Sequence, residues 1–253
     1  MSLEHLQQLE ALRHHPALQV SPGQRPAIVG NILHYLMRPY FLKRTPVMQE
    51  KFGEAQYQTF NRGMAEYCLR EYVESSEPRL TVAFIKGLHR QFYGNAVSVS
   101  VKAIDGSMVA MVPGEFKTRP VFMRRSDHSS NEWFDSTAPE HVAREMDKLL
   151  GLLHDDQIPL LHRYLQFVFD LMLIHPFLDS NGKVAMLLGD IFLLRQGVLP
   201  PYIAKHRSEN MQESNELRQR YTLDQYRDIS IYYPVLIKMY EDLLVAHPAS
   251  AAV

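Results

Sequence analysis

One stretch limits what this chain can fold into more than any other. Between Pro159 and His175, apolar side chains at 160, 161, 164, 165, 167, 168, 169, 171, 172 and 174 cover almost every side of a helix. Such a helix has no face to give to water, so it demands neighbours all round and belongs in the middle of a bundle. It does not cross a bilayer: Asp170, His175 and Pro176 interrupt it, and the run falls short of the ~20 apolar residues that a span needs. Pro176 cannot continue the hydrogen-bond ladder and helps to end the helix.

The neighbours are legible as further helical periodicities. Leu3 to His14 reads as a short amphipathic helix. Pro26 opens another, reaching Met37, and Met48 to Val73 follows after a break near Thr45-Pro46. Val82, Ile85, Leu88, His89 and Phe92 recur at three and four along Leu80 to Tyr93. Pro139 starts a helix to Leu153, and Val184 starts one to Gln196 with Gly197 suited to its cap. Two or three more fill Glu213 to Ala246. Ser98 to Val112, rich in Val and Ser around an Asp105-Gly106 turn, and Phe116 to Met123 favour extended structure.

The expected fold is therefore all-α, that is, mainly helical, with a small β-hairpin between Ser98 and Trp133. Glu74-Ser75-Ser76-Glu77-Pro78 punctuates the chain. It separates an N-terminal helical extension over 1–78 from a core over 79–204, with a C-terminal helical extension over 205–253.

Composition removes several function classes. A formal net charge of −1 gives no general attraction to nucleic acid or to an acidic membrane. Cys68 is the single cysteine, which excludes an internal disulfide and a cysteine-based zinc site. The histidines show no usual metal-ligand spacing, and neither a Walker A motif nor Gly-x-Gly-x-x-Gly occurs. The first eleven residues lack the basic start and apolar stretch of a signal peptide. A cytoplasmic location is expected, although a secreted effector without disulfides would read the same.

The chemistry concentrates where the apolar helix stops, in His175-Pro176-Phe177-Leu178-Asp179-Ser180-Asn181-Gly182-Lys183. His175 ends a rigid buried helix and can take a proton near neutral pH. Asp179 is a hard oxygen ligand of the kind Mg²⁺ uses beside substrate phosphates. The turn leads into a new helix whose first N–H groups and dipole suit an anion, and Lys183 adds positive charge there. In isolation, such a turn is commonly no more than a cap.

This run resembles the Fic signature, His-Pro-Phe-x-Asp/Glu-Gly-Asn-Gly-Arg-x-x-Arg. Upstream, Pro113-Gly114-Glu115-Phe116-Lys117-Thr118-Arg119-Pro120-Val121 is similar to the segment that leads into the family's flap hairpin. The resemblance covers about Leu80 to Ile203. It implies ATP as donor, Mg²⁺ as cofactor, and transfer of AMP to a Ser, Thr or Tyr hydroxyl of a target protein. His175 would be the general base and Phe177 an anchor. Asp179 would hold Mg²⁺, Ser180, Asn181 and Gly182 would line the phosphate cradle, and Lys183 would contact phosphate. Phe116, Lys117, Thr118, Arg119 and Val121 would belong to a flap that holds the target by strand pairing. The helical extensions offer surface for a homo-oligomer or for recruiting targets, and no nucleic acid or membrane partner is implied.

Three positions depart from the signature. Ser180 stands for Gly, which is tolerable if the backbone there is ordinary. Lys183 stands for Arg and loses the two-pronged contact. Met186 stands for the second Arg and removes a charged phosphate contact. These changes leave open a Doc-like phosphotransfer, transfer of another phosphate-containing group, and a catalytically weak Fic-fold binding module. Glu74 is the nearest match in place to the family's inhibitory glutamate, although Arg70 and Ser75 break that motif.

Overall fold

The computed structural model describes residues 3–41, 54–77, 79–103, 106–124, 133–201 and 228–246. Helices α1 (Leu3–Arg13), α2 (Arg25–Phe41) and α3 (Glu54–Cys68) come first, the last running into a π-turn at Leu69–Val73. Then come α4 (Val82–Phe92), strands β1 (Val99–Lys102), β2 (Met108–Met111), β3 (Phe122–Arg124) and β4 (Trp133–Asp135), and helices α5 (Val142–Leu153), α6 (Leu160–Ile174), α7 (Asn181–Arg195) and α8 (Tyr233–Ala246). The expected break near Thr45-Pro46, and the helices expected between Glu213 and residue 227, lie outside the described residues.

The expected helices begin and end for local reasons. Thr81 caps α4 by accepting the Phe84 N–H at 3.1 Å. Pro139 starts a 3₁₀ turn that runs into α5. Gly197, at φ +76°, closes α7, with its N–H on Leu194 O and that of Val198 on Leu193 O.

Among the described residues, α6 and α7 are the inner helices of the bundle. Helix α6 is flanked by α5, α7 and α1, and α7 in turn meets α2, α4 and the π-turn. From Val184 to Leu194 only Met186 escapes full burial on α7, so the helix that follows the signature is more deeply enclosed than the one before it. Gly189 allows this closeness: a Cβ there would lie 2.5 Å from Val168 Cγ2 and 2.8 Å from the Tyr164 ring. Residues of α1, α2, α3 and α8 join the same core, among them Leu9, Val29, Tyr57 and Tyr240. Among the described residues, no helix is long and apolar enough to cross a membrane.

Extended structure differs from expectation in one respect. Among the described residues there are two antiparallel hairpins, with β1 paired to β2 (Val99 opposite Met111) and β3 paired to β4 (Phe122 opposite Asp135). Phe116–Val121 is not strand. Its backbone is diverted onto α4 and the loop after α6, as described below.

Candidate active site

Helix α6 ends in a strained residue. His175 is its cap, in the left-handed region at φ 51° and ψ 59°, with its N–H on Leu171 O at 3.0 Å. Left-handed backbone costs a non-glycine residue about 1–2 kcal/mol, and Pro176 cannot extend the helix. The imidazole Nδ1 lies 3.2 Å from Met172 O. A carbonyl only accepts, so Nδ1 carries the proton and Nε2 keeps its lone pair. Burial first, then the nearby Lys117 charge, hold the titration of His175 down at about 4, against the Met172 bond and Asp179, which raise it. The ring is neutral at physiological pH and competent to accept a proton.

The loop that follows is clasped from inside. Asn181 Oδ1 accepts the Phe177 N–H and its Nδ2 donates to Phe177 O, both at 2.9 Å. Asn181 is 2% exposed, so its side chain is committed to holding the loop. Phe177 is fully buried and lies flat on the His89 ring, centroids 3.8 Å apart. That is the anchoring expected of it. At the start of α7 the Val184 N–H reaches back to Ser180 O at 3.0 Å. The earlier amides stand outside the helical ladder. A Cβ built on Gly182 would meet nothing within 4 Å, so the first turn of α7 opens onto free space. Lys183 is partly buried there, which lowers its pKa, while Asp179 raises it.

Ser180 corrects an expectation. Its backbone is not ordinary: φ is 61° and ψ 10°, the conformation that glycine takes without cost. Its hydroxyl sits 2.8 Å from the Tyr93 hydroxyl, which also reaches Asp179 Oδ2 at 3.0 Å.

Two of the residues expected in a flap pack toward the signature loop. Phe116 packs on Phe177 (5.8 Å between centroids) beneath Lys86. Lys117, 3% exposed, brackets the histidine: its N–H donates to Pro176 O at 2.8 Å and its Nζ to Ile174 O at 3.1 Å. The Nζ also donates to Ser136 Oγ, which in turn donates to Val121 O at the foot of β3. Burial lowers the Lys117 pKa to about 8. The Lys117 side chain is thus committed to the interior, and Phe116 is partly buried. Thr118 and Arg119 are exposed and Val121 is half-buried.

Glu74 is exposed and lies at the wrong end of α7. The carbonyls on either side of it, of Tyr72 and Ser75, accept from Arg195, the latter at 2.9 Å. Arg195 is the last residue of α7, and Asn181 the first. At 1.5 Å per residue these ends stand roughly 20 Å apart, beyond what the two side chains span.

His89 is the residue that sequence reasoning missed. It is wholly buried on α4, where Nδ1 accepts the Gly114 N–H at 2.8 Å and Nε2 therefore donates to Asp179 O at 3.2 Å. Burial depresses its titration to about 4. Gly114, at φ +85°, lies so close that a Cβ would sit 2.8 Å from Lys86 O. One imidazole thus ties together α4, the segment before β3 and the signature loop. The signal was present: His89 falls on the apolar stripe of α4, and a histidine there must find buried partners.

For a divalent cation, no group of three His, Cys, Asp or Glu exists among the described residues. A single carboxylate beside an open helix entry fits Mg²⁺, which usually takes one or two carboxylates and completes its shell with phosphate and water.

A helical bundle whose inner helix ends in a left-handed histidine, followed by a clasped turn and an open helix entry, defines the class. Residues 79–193 match the Fic/DOC family and are a domain of it. The chain is 28% identical over 127 residues to protein adenylyltransferase fic-1 of Caenorhabditis elegans, covering 49% of this chain and 21% of that protein. It thus spans about a fifth of the length of that curated relative. A Fic-domain signalling protein from Bacteroides thetaiotaomicron superposes with a TM-score of 0.57 at 17% identity, over 98% of this chain and 99% of that one. IbpAFic2 covalently tethered to Cdc42 superposes with a TM-score of 0.54 at 13% identity, over 96% of this chain and 70% of that one. At these identities the two structures establish the fold.

Proposed function

We propose that this protein transfers AMP from ATP to a Ser, Thr or Tyr hydroxyl of another protein, releasing pyrophosphate. The observation that carries the reading is the neutral His175, whose Nδ1–H is held by Met172 O so that Nε2 is left to act as base. The hydroxyl proton passes to Nε2 as the oxygen attacks the α-phosphorus. The bond from that phosphorus to the bridging oxygen breaks, and pyrophosphate leaves with the electron pair. Asp179 would hold Mg²⁺, whose charge offsets that of the phosphates. Lys183 and the first amides of α7 receive phosphate oxygens at the open face of Gly182. The Asn181 clasp and the Lys117 bracket fix the base before substrate arrives, so the contribution is mostly positioning and charge.

Two further observations support the reading. The curated relative is named as a protein adenylyltransferase, and one structural neighbour is tethered to a second protein. Among the described residues, β3 pairs only with β4, which leaves an edge to which a target segment can add as a strand.

Met186 favours a second reading. It is partly buried, three residues past Lys183 on α7, and places no charge where the signature has its second Arg. A donor lacking that contact could bind reversed and give up its γ-phosphoryl group. Incubation with α-labelled and γ-labelled ATP and candidate lysates separates the two. Label from the α position identifies nucleotide transfer, and label only from γ identifies phosphorylation. If no nucleotide labels any protein and His175→Ala behaves as wild type, the chain is a binding module and the enzyme reading ends.

A further inference from the structure

We propose that Tyr93 and Ser180 act as one unit that fixes the Asp179 carboxylate at the entry of α7, with Tyr93 as a positioning residue. The direction of the bonds follows from the groups. A carboxylate only accepts, so the phenol proton goes to Asp179 Oδ2, 3.0 Å away. The phenol oxygen can then only accept from Ser180, so the Ser180 hydroxyl, 2.8 Å away, donates to it. The order Ser180, Tyr93, Asp179 is thereby set, with Asp179 Oδ2 as the final acceptor.

Tyr93 is itself held firmly. It caps α4, with its N–H on Arg90 O at 3.1 Å, and its ring lies 5.2 Å from that of His89. Asp179 is therefore gripped twice from one end of α4: its carbonyl by His89 and its carboxylate by Tyr93. The pairing also accounts for a serine in left-handed backbone. Glycine would relieve the backbone at 180 but would take away the donor that faces the phenol oxygen.

The part concerning Mg²⁺ rests on the proposed function, whereas the pairing does not, and the experiment separates them. Thermal unfolding of the ligand-free chain is measured for Tyr93→Phe, Ser180→Gly and Asp179→Ala, alone and combined. Tyr93→Phe is expected to lower Tm by roughly 2–4 °C in the wild-type background. With Ser180→Gly and Asp179→Ala both present it should lower Tm by less than about 1 °C, because nothing remains to lose. Equal losses in both backgrounds overturn the unit.

Calorimetry of ATP binding at rising Mg²⁺ is the second reading. Tyr93→Phe is expected to need about ten-fold more Mg²⁺ for half-maximal binding, as outer-shell substitutions commonly do. Unchanged Mg²⁺ dependence in Tyr93→Phe, with Asp179→Ala still defective, overturns the positioning role. If Asp179→Ala is also unchanged, or wild type binds no ATP at any Mg²⁺ concentration, the metal assignment falls and takes the Mg²⁺ part of this inference with it. The unfolding cycle still decides the pairing.

Discussion

Acidification should unseat His89, and the size of the effect can be worked from its surroundings. The ring is wholly buried, and its Nδ1 can accept the Gly114 N–H only while unprotonated. Its titration is depressed from the ordinary 6.5 to about 4 in the folded chain. Between these values the unfolded chain binds a proton that the folded chain refuses, so stability falls as pH falls. The contribution is full above pH 6.5, shrinks by roughly 1.4 kcal/mol per pH unit below it, and is lost below about 4. Between pH 8 and 4.5 the loss attributable to His89 is roughly 2.5 kcal/mol.

The assay is urea unfolding at a series of pH values for wild type and His89→Gln. The glutamine has no ionisation in this range, and carboxylates and His175 titrate alike in both proteins. The difference in unfolding free energy between the two should therefore narrow by about 2.5 kcal/mol from pH 8 to 4.5. A difference that stays level with pH would refute the reasoning. If the variant does not fold, imidazole NMR on wild type serves instead, and a His89 titration near 6.5 is the refuting result.

Three further outcomes are expected. Gly182→Ala should leave Tm within about 2 °C, since its Cβ meets nothing, yet weaken ATP binding in calorimetry at least about ten-fold by filling the space assigned to phosphate. Gly189→Ala should do the reverse, lowering stability by about 1–3 kcal/mol through overpacking against Val168 and Tyr164, as read by urea unfolding. Lys117→Met should raise the His175 titration above about 4, because it removes a positive charge that lowers it. Imidazole NMR measures this shift, and an unchanged value would refute the Lys117 contribution.

How much could be read from the chain itself depended on whether the cause was local. The apolar surround of Leu160–Ile174 dictated a buried helix whatever packed against it, and Pro176 dictated where it stopped. Thr81, Pro139 and Gly197 mark boundaries because capping is settled within a few residues. The order of histidine, carboxylate and helix entry over 175–183 was legible for the same reason.

What the chain concealed were contacts between distant segments. Nothing near Lys117 announces that its amine reaches Ile174 O, or that Phe116 packs on Phe177 of the signature. Glu74 resembled an inhibitory residue by its place in the chain, yet Arg195 draws its segment to the far end of α7. The left-handed backbone of Ser180 and its tie to Tyr93 arise because α4 delivers a phenol to a turn 87 residues away. Periodicity and capping are properties of a few adjacent residues, whereas the positions of a buried lysine, a histidine and a phenol are set only when helices from separate parts of the chain close on one another.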